Sequence, residues 1–251
     1  MEYKLHGTVM QTLEITIGPS EMVYCQTHAL AYMSDAIQMN TSTGGGIWKS
    51  IVRTFSGGSL FRNEFTSNAP GGLLGFCPRF PGKIVPYKLA PGESLICRKE
   101  TFLCAEGSVQ FEIFFRQQLG GGLFGGEGFI LQKVTGPGTV FLDLSGEVVE
   151  KILAPGERLR VHVGHVGVQD PSVQFGVQIV KGFKNLLFGG EGIFFATLTG
   201  PGRVLLQSMP IVNLADEIMR YAGGTGGGAR QPETGIDVGV SVLKGILDRD
   251  N

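Results

Sequence analysis

The residues able to do chemistry in this chain are few, and their spacing decides little in favour of catalysis. Gly120-Gly121-Gly122-Leu123-Phe124-Gly125 matches G-x-G-x-x-G. A dinucleotide site needs a strand before that motif and a helix after it, so that backbone amides meet a pyrophosphate. Here Phe129-Ile130-Leu131 follows with strand character, and the segment reads as a structural turn. Gly44-Gly45-Gly46-Ile47-Trp48-Lys49-Ser50 resembles a phosphate loop, but Trp48 stands where a glycine must precede Lys-Ser. His162 and His165 form H-V-G-H, read as one strand. That spacing puts the two rings on opposite faces unless Gly164 makes a bulge, so they read as ordinary histidines. Glu127 and Glu191 occupy matching places in two similar segments, which suits turn capping better than acid–base work. No G-x-S-x-G is present, and no Cys or Ser has a local His partner. The expectation is no catalytic residue, no cofactor and no metal.

Composition narrows the classes further. The 251 residues carry a net charge of −1, without the basic excess of a general nucleic-acid binder. Cys25, Cys77, Cys97 and Cys104 lack metal-type spacing and read as reduced thiols in a cytoplasmic protein. The N-terminus shows no secretory pattern, and no apolar run is long enough to span a membrane as a helix. Glycine, at 40 residues, falls mostly in pairs between alternating apolar runs, as turns and bulges do.

The elements that would position these residues are set by duplication. Thr135-Gly136-Pro137-Gly138 returns as Thr199-Gly200-Pro201-Gly202. Ala90-Pro91-Gly92-Glu93 returns as Ala154-Pro155-Gly156-Glu157, and Phe124-Gly125-Gly126-Glu127-Gly128 as Phe188-Gly189-Gly190-Glu191-Gly192. All three motifs keep one offset, which is the signature of a repeat. Gly18-Pro19-Ser20-Glu21 and Pro70-Gly71 place a diverged first copy. The reading is a single β domain over 1–222, with repeats at about 9–84, 85–148 and 149–210 sharing one core, and then a closing helix. Residues 10–17, 22–28 and 29–39 read as strands, 47–55 as an amphipathic helix, 182–188 as a helical turn and 212–221 as a short helix. Residues 223–251 read as a Gly-rich linker and extension.

The order of G-G-G-I-W-K-S at 44–50, S-L-F at 59–61, F-G-G-E-G at 124–128 and T-G-P-G at 135–138 and 199–202 resembles the altered-inheritance-of-mitochondria protein 24 family. The match covers about 5–215. The resemblance implies an all-β, three-repeat sandwich or barrel with pseudo-threefold internal symmetry and short helices, similar to the tryptophan RNA-binding attenuation protein. It also implies a homotrimer, and it carries no catalytic residues.

Apolar residues crowd the connection in each repeat: Trp48 and Phe55, Leu123 and Phe124, and Phe183, Leu187 and Phe188. Apolar connections need cover, which makes these the candidate contacts to another subunit, a protein partner or a membrane surface. The expected function is a non-enzymatic homo-oligomeric scaffold or binding protein, cytoplasmic or peripheral to a membrane. The alternatives are a small-molecule binder or enzyme with a pocket in the barrel or between subunits, and, by fold analogy alone, RNA binding.

Overall fold

The computed structural model describes residues 1–26, 28–42, 62–117, 128–180 and 193–222. Nineteen strands account for most of them. After β1 (Glu2–His6), the first repeat holds β2 (Thr12–Ile17), β3 (Met22–Gln26), β4 (Leu30–Met33), β5 (Ile37–Ser42), β6 (Arg62–Ser67) and β7 (Gly72–Phe76). The second holds β8 (Gly82–Leu89), β9 (Ser94–Arg98), β10 (Phe102–Glu106), β11 (Gln110–Gln117), β12 (Phe129–Thr135) and β13 (Gly138–Ser145). The third holds β14 (Val148–Leu153), β15 (Arg158–His162), β16 (Val166–Gln169), β17 (Gln174–Val180), β18 (Ile193–Thr199) and β19 (Gly202–Gln207). Short 3-10 turns, Lys99–Thr101 and Val163–His165, link β9 to β10 and β15 to β16. Helix α1 (Ile211–Ala222) follows Pro210, a residue suited to a helix start. The chain divides into two compact units, Met1–Asn213 and Leu214–Asn251, and all strands lie in the first.

Local chemistry closes the turns alike in each repeat. The Glu21 carboxylate accepts the Gly18 amide proton at 2.8 Å, Glu93 that of Ala90 at 2.8 Å, and Glu157 that of Ala154 at 2.8 Å. Each satisfies a backbone donor that the turn would otherwise leave free. Gly138 and Gly202 open β13 and β19 with φ of 129° and 144°, a conformation that a Cβ disfavours. The third strand of each repeat also carries the same register shift, at Leu30/Tyr32, Phe102/Cys104 and Val166/Val168.

The strands are not grouped by repeat. The sheets run β1-β2-β7-β4, then β5-β6-β3-β10-β13-β8, then β11-β12-β9-β16-β19-β14, then β15-β18-β17, with antiparallel pairing throughout. Each repeat supplies three strands to each of two sheets. The seam between first and second repeats is β3 with β10, where Cys25 faces Cys104 and Tyr24 faces Ala105. The seam between second and third is β9 with β16, where Cys97 faces Val168 and Ile96 faces Gln169.

This sharing explains why many strands lack polar alternation. In β13, Phe141 enters one cluster of buried residues while Val140, Leu142 and Leu144 enter the next. In β9, Leu95 and Cys97 enter the second cluster and Ile96 the third. Successive side chains point to opposite faces, so both faces of the six-stranded sheets are buried there. Among the described residues the buried apolar side chains therefore form three clusters, where the repeats suggested one shared core.

Other expectations shift as well. Residues 29–39 are two strands, β4 and β5, because the Ser34 carbonyl accepts the Ile37 amide proton and turns the chain. β1 precedes the first repeat and pairs along the length of β2, from Glu2 opposite Thr16 to His6 opposite Thr12. The segments 47–55 and 182–188, and 223–251, lie outside the described residues.

Candidate functional site

Three strands at matching positions of the repeats end beside one cavity. The pairs Leu74–Met33, Val140–Ala105 and Val204–Gln169 align β7, β13 and β19. On that alignment Cys77, Asp143 and Gln207 share one position, and all three line a cavity of about 260 Å³. Its walls include Ala29, Phe102 and Leu103, with Arg98 and Thr101 from the 3-10 turn region and Arg79 at an exposed position.

The buried polar groups around it are mostly committed. Arg98 is only 2 % exposed. Its Nε donates to Glu100 Oε2 at 3.2 Å and its Nη1 to the Gly164 carbonyl at 2.9 Å. Its guanidinium also lies 5.4 Å from the Phe129 ring centroid. Thr101 donates its hydroxyl to the Arg98 carbonyl at 2.8 Å. Gln207 uses both ends of its amide: Oε1 accepts from the Ser145 backbone at 3.1 Å, and Nε2 donates to the Gly164 carbonyl at 2.9 Å.

Asp143 is the exception. Its Oδ1 is buried and has no hydrogen-bond partner. Burial pushes the carboxyl up to about 7, because the charged form loses hydration and gains no compensating charge.

The histidine pair is arranged differently from its sequence reading. His162 closes β15, and His165 sits in the 3-10 turn, so the two do not share a strand. That turn brings their ring centroids to 5.8 Å. His165 Nδ1 lies 2.8 Å from the Gln207 carbonyl oxygen. Burial, then His165 and Arg98, hold His162 below the usual imidazole range. Among the described residues, no group of three or more His, Cys, Asp or Glu is placed to hold a metal ion.

None of the four cysteines is in a disulfide. Burial raises Cys25 and Cys97 to about 12 and pushes Cys104 well up. The thiolate is the nucleophile, so these three are packing residues at neutral pH. Cys77 is the cysteine that lines the cavity, with its Sγ 3.5 Å from Thr12 Oγ1.

The contact residues expected from the sequence, Trp48, Phe55, Leu123, Phe124, Phe183, Leu187 and Phe188, lie outside the described residues. None of the cavity residues was singled out by sequence reasoning as a site. The signal was available in one form only: stacking the three repeats puts Cys77, Asp143 and Gln207 in one column of otherwise apolar strand ends.

The fold and this cavity define a class: an antiparallel β protein of three repeats whose neighbouring repeats share their sheets. The chain belongs to the mitochondrial biogenesis AIM24 family, whose model matches residues 3–209. It is similar to an uncharacterized protein of Streptococcus pyogenes serotype M6, 29% identical over 217 residues, covering 83% of this chain and 86% of that one. It is also similar in fold to the crystal structure of a Streptococcus pyogenes protein, with a TM-score of 0.71 and 24% identity, covering 88% of this chain and 99% of that one. Among the described residues no helix is long and apolar enough to cross a membrane, which leaves strand-based spanning untouched.

Proposed function

We propose that the protein is a non-enzymatic scaffold whose copies join head to tail, β15 of one to β4 of the next. One observation carries this reading: β4 and β15 each end a sheet, although their counterparts in the other repeats are interior strands. β4 corresponds to β10 and β16, and β15 to β3 and β9. The two free edges are thus the two halves of the seam that the chain already makes twice. Exposure supports the pairing. Tyr32 and Met33 are 42% and 43% exposed, whereas their counterparts Cys104, Ala105, Val168 and Gln169 lie between 0% and 3%. An open edge of this kind templates another strand unless something covers it. Because the two edges differ, the contact is heterologous, and such contacts build rings where the rotation closes. A trimer, the assembly implied by the family resemblance, would bring nine repeats together.

Carried over to a contact between copies, the registers of the two internal seams would set Val161 opposite Tyr32 of the next copy, and Arg160 opposite its Met33. Met33→Arg sets like charges across the seam, which is unfavourable, and Met33→Glu sets opposite ones. Native mass spectrometry should show an oligomer for the natural protein and for Met33→Glu, and smaller species for Met33→Arg. A natural protein that is monomeric, or two variants that assemble equally, would refute the seam.

A further inference from the structure

The buried polar groups on the cavity wall are committed to one another. Arg98 holds the Glu100 carboxylate and the Gly164 carbonyl, and Gln207 has both ends of its amide in use. Asp143 Oδ1 is buried and does not open into the cavity. Arg79 is different. It lines the same cavity from an exposed position, and among the described residues its guanidinium has no ion pair or hydrogen bond. His28 also lines the cavity from an exposed position. The apolar part of the wall includes Ala29, Phe80, Phe102 and Leu103. A cation without a counter-ion, joined to an apolar wall, favours a ligand with a negative head and a short carbon chain.

We infer that the cavity binds a small monocarboxylate, its carboxylate on the Arg79 guanidinium and its chain against Phe80, Phe102 and Leu103. Arginine suits this role because its planar fork of N–H groups matches the two oxygens of a carboxylate. The Ser145 hydroxyl, also on the wall, is a further donor. A volume of about 260 Å³ lies below the range of drug-sized sites and suits a chain of a few carbons. The site lies within Met1–Asn213 and needs no second copy, so it stands apart from head-to-tail assembly.

The test is calorimetric titration of the natural protein with sodium hexanoate, and with inorganic phosphate as an anion that lacks the chain. Hexanoate should bind saturably, and about tenfold or more tighter than phosphate, through its buried carbons. Arg79→Gln, checked for folding by its circular dichroism melt, should weaken hexanoate about tenfold. Affinity should also rise several-fold from about pH 8 to about pH 6, where hexanoate stays ionised. Over that range Asp143 takes up its proton through about 7, and its charge acts through space without touching the ligand. The other charged or titratable residues on the wall are His28, Cys77, Arg79, Arg98 and Glu100. Protonation of any of them makes the wall more positive, so the sign of the pH effect is fixed. The assignment is overturned by no saturable binding of hexanoate, by phosphate binding equally well, or by affinity that does not rise as pH falls. A folded Arg79→Gln protein that binds as well as the natural one overturns it too.

Discussion

The same two strand types meet at two seams inside the chain and, among the described residues, pair with nothing at β4 and β15. Where they meet, Cys104 and Val168 pack opposite Cys25 and Cys97 and are nearly closed to solvent. Where they do not, Tyr32 takes the place of Cys104, keeps 42% exposure, and turns its hydroxyl to Glu14 at 2.8 Å. Its ring occupies the space over Gly75, where any Cβ would collide with it. The difference teaches that the repeat fixes the backbone pairing, while the side chain at one position adapts a strand to the inside or to the edge. β15 shows the same adaptation: Arg158 and Arg160 are exposed on it, where the counterpart of Arg160 in β9 is the buried Ile96.

Charge substitution should separate the two environments most sharply. Cys104→Asp forces a carboxylate without a partner into a closed seam, and should cost about 4 kcal/mol or more in urea unfolding. Tyr32→Asp at the matching open position should cost within about 1 kcal/mol of chain stability. Equal losses would mean that the edge is already closed in solution.

A smaller effect should distinguish Asp143 from Gln207. The folded pKa of Asp143 lies above its unfolded value, so its contribution is favourable at low pH and is lost as pH rises through about 7. Asp143→Asn should therefore stabilise the protein by about 2 kcal/mol above neutrality, with the gain shrinking as pH falls and gone below about pH 4. Gln207→Asn, too short to reach both Ser145 and Gly164, should destabilise at every pH. Melting temperatures across a pH series would show whether the two positions behave oppositely.

The smallest effect concerns what all repeats share. Glu157→Ala removes one turn-closing hydrogen bond to Ala154 and should cost about 1 kcal/mol. Glu93→Ala should match it, because the geometry at Ala90 is the same. A large difference between them in chemical denaturation would mean that the repeats are not energetically equivalent.

The turns were the legible part of the fold, since Gly, Pro and Glu at fixed places have local physical reasons to be there. The alternation in β2, with Leu13, Ile15 and Ile17 inward, was legible for the same cause. Sheet membership was not. A strand such as β10, buried along Phe102 to Ala105, declares that both faces are covered but cannot say which repeat supplies the neighbour. β1 was missed because its burial is slight on both faces. The candidate site was hidden more deeply. Asp143 is a lone acid among apolar residues, and its meaning depends on Gln207, its partner in the repeat column. Arg98, read by type alone, is a surface residue. Only the fold places its guanidinium under the Gly164 carbonyl.

The sharing of sheets also sets an order of events during synthesis. When the first repeat has left the ribosome, β3 has β6 on one side and nothing on the other, because β10 has yet to emerge. β9 waits in the same way for β16. Each stretch of nascent chain thus completes the one made before it while exposing a new unfinished edge, and pairings between distant residues form slowly. Besides the edge at β4, the growing protein carries one unfinished edge that passes from β3 to β9 to β15, and β15 holds the state that β3 and β9 each held for a time.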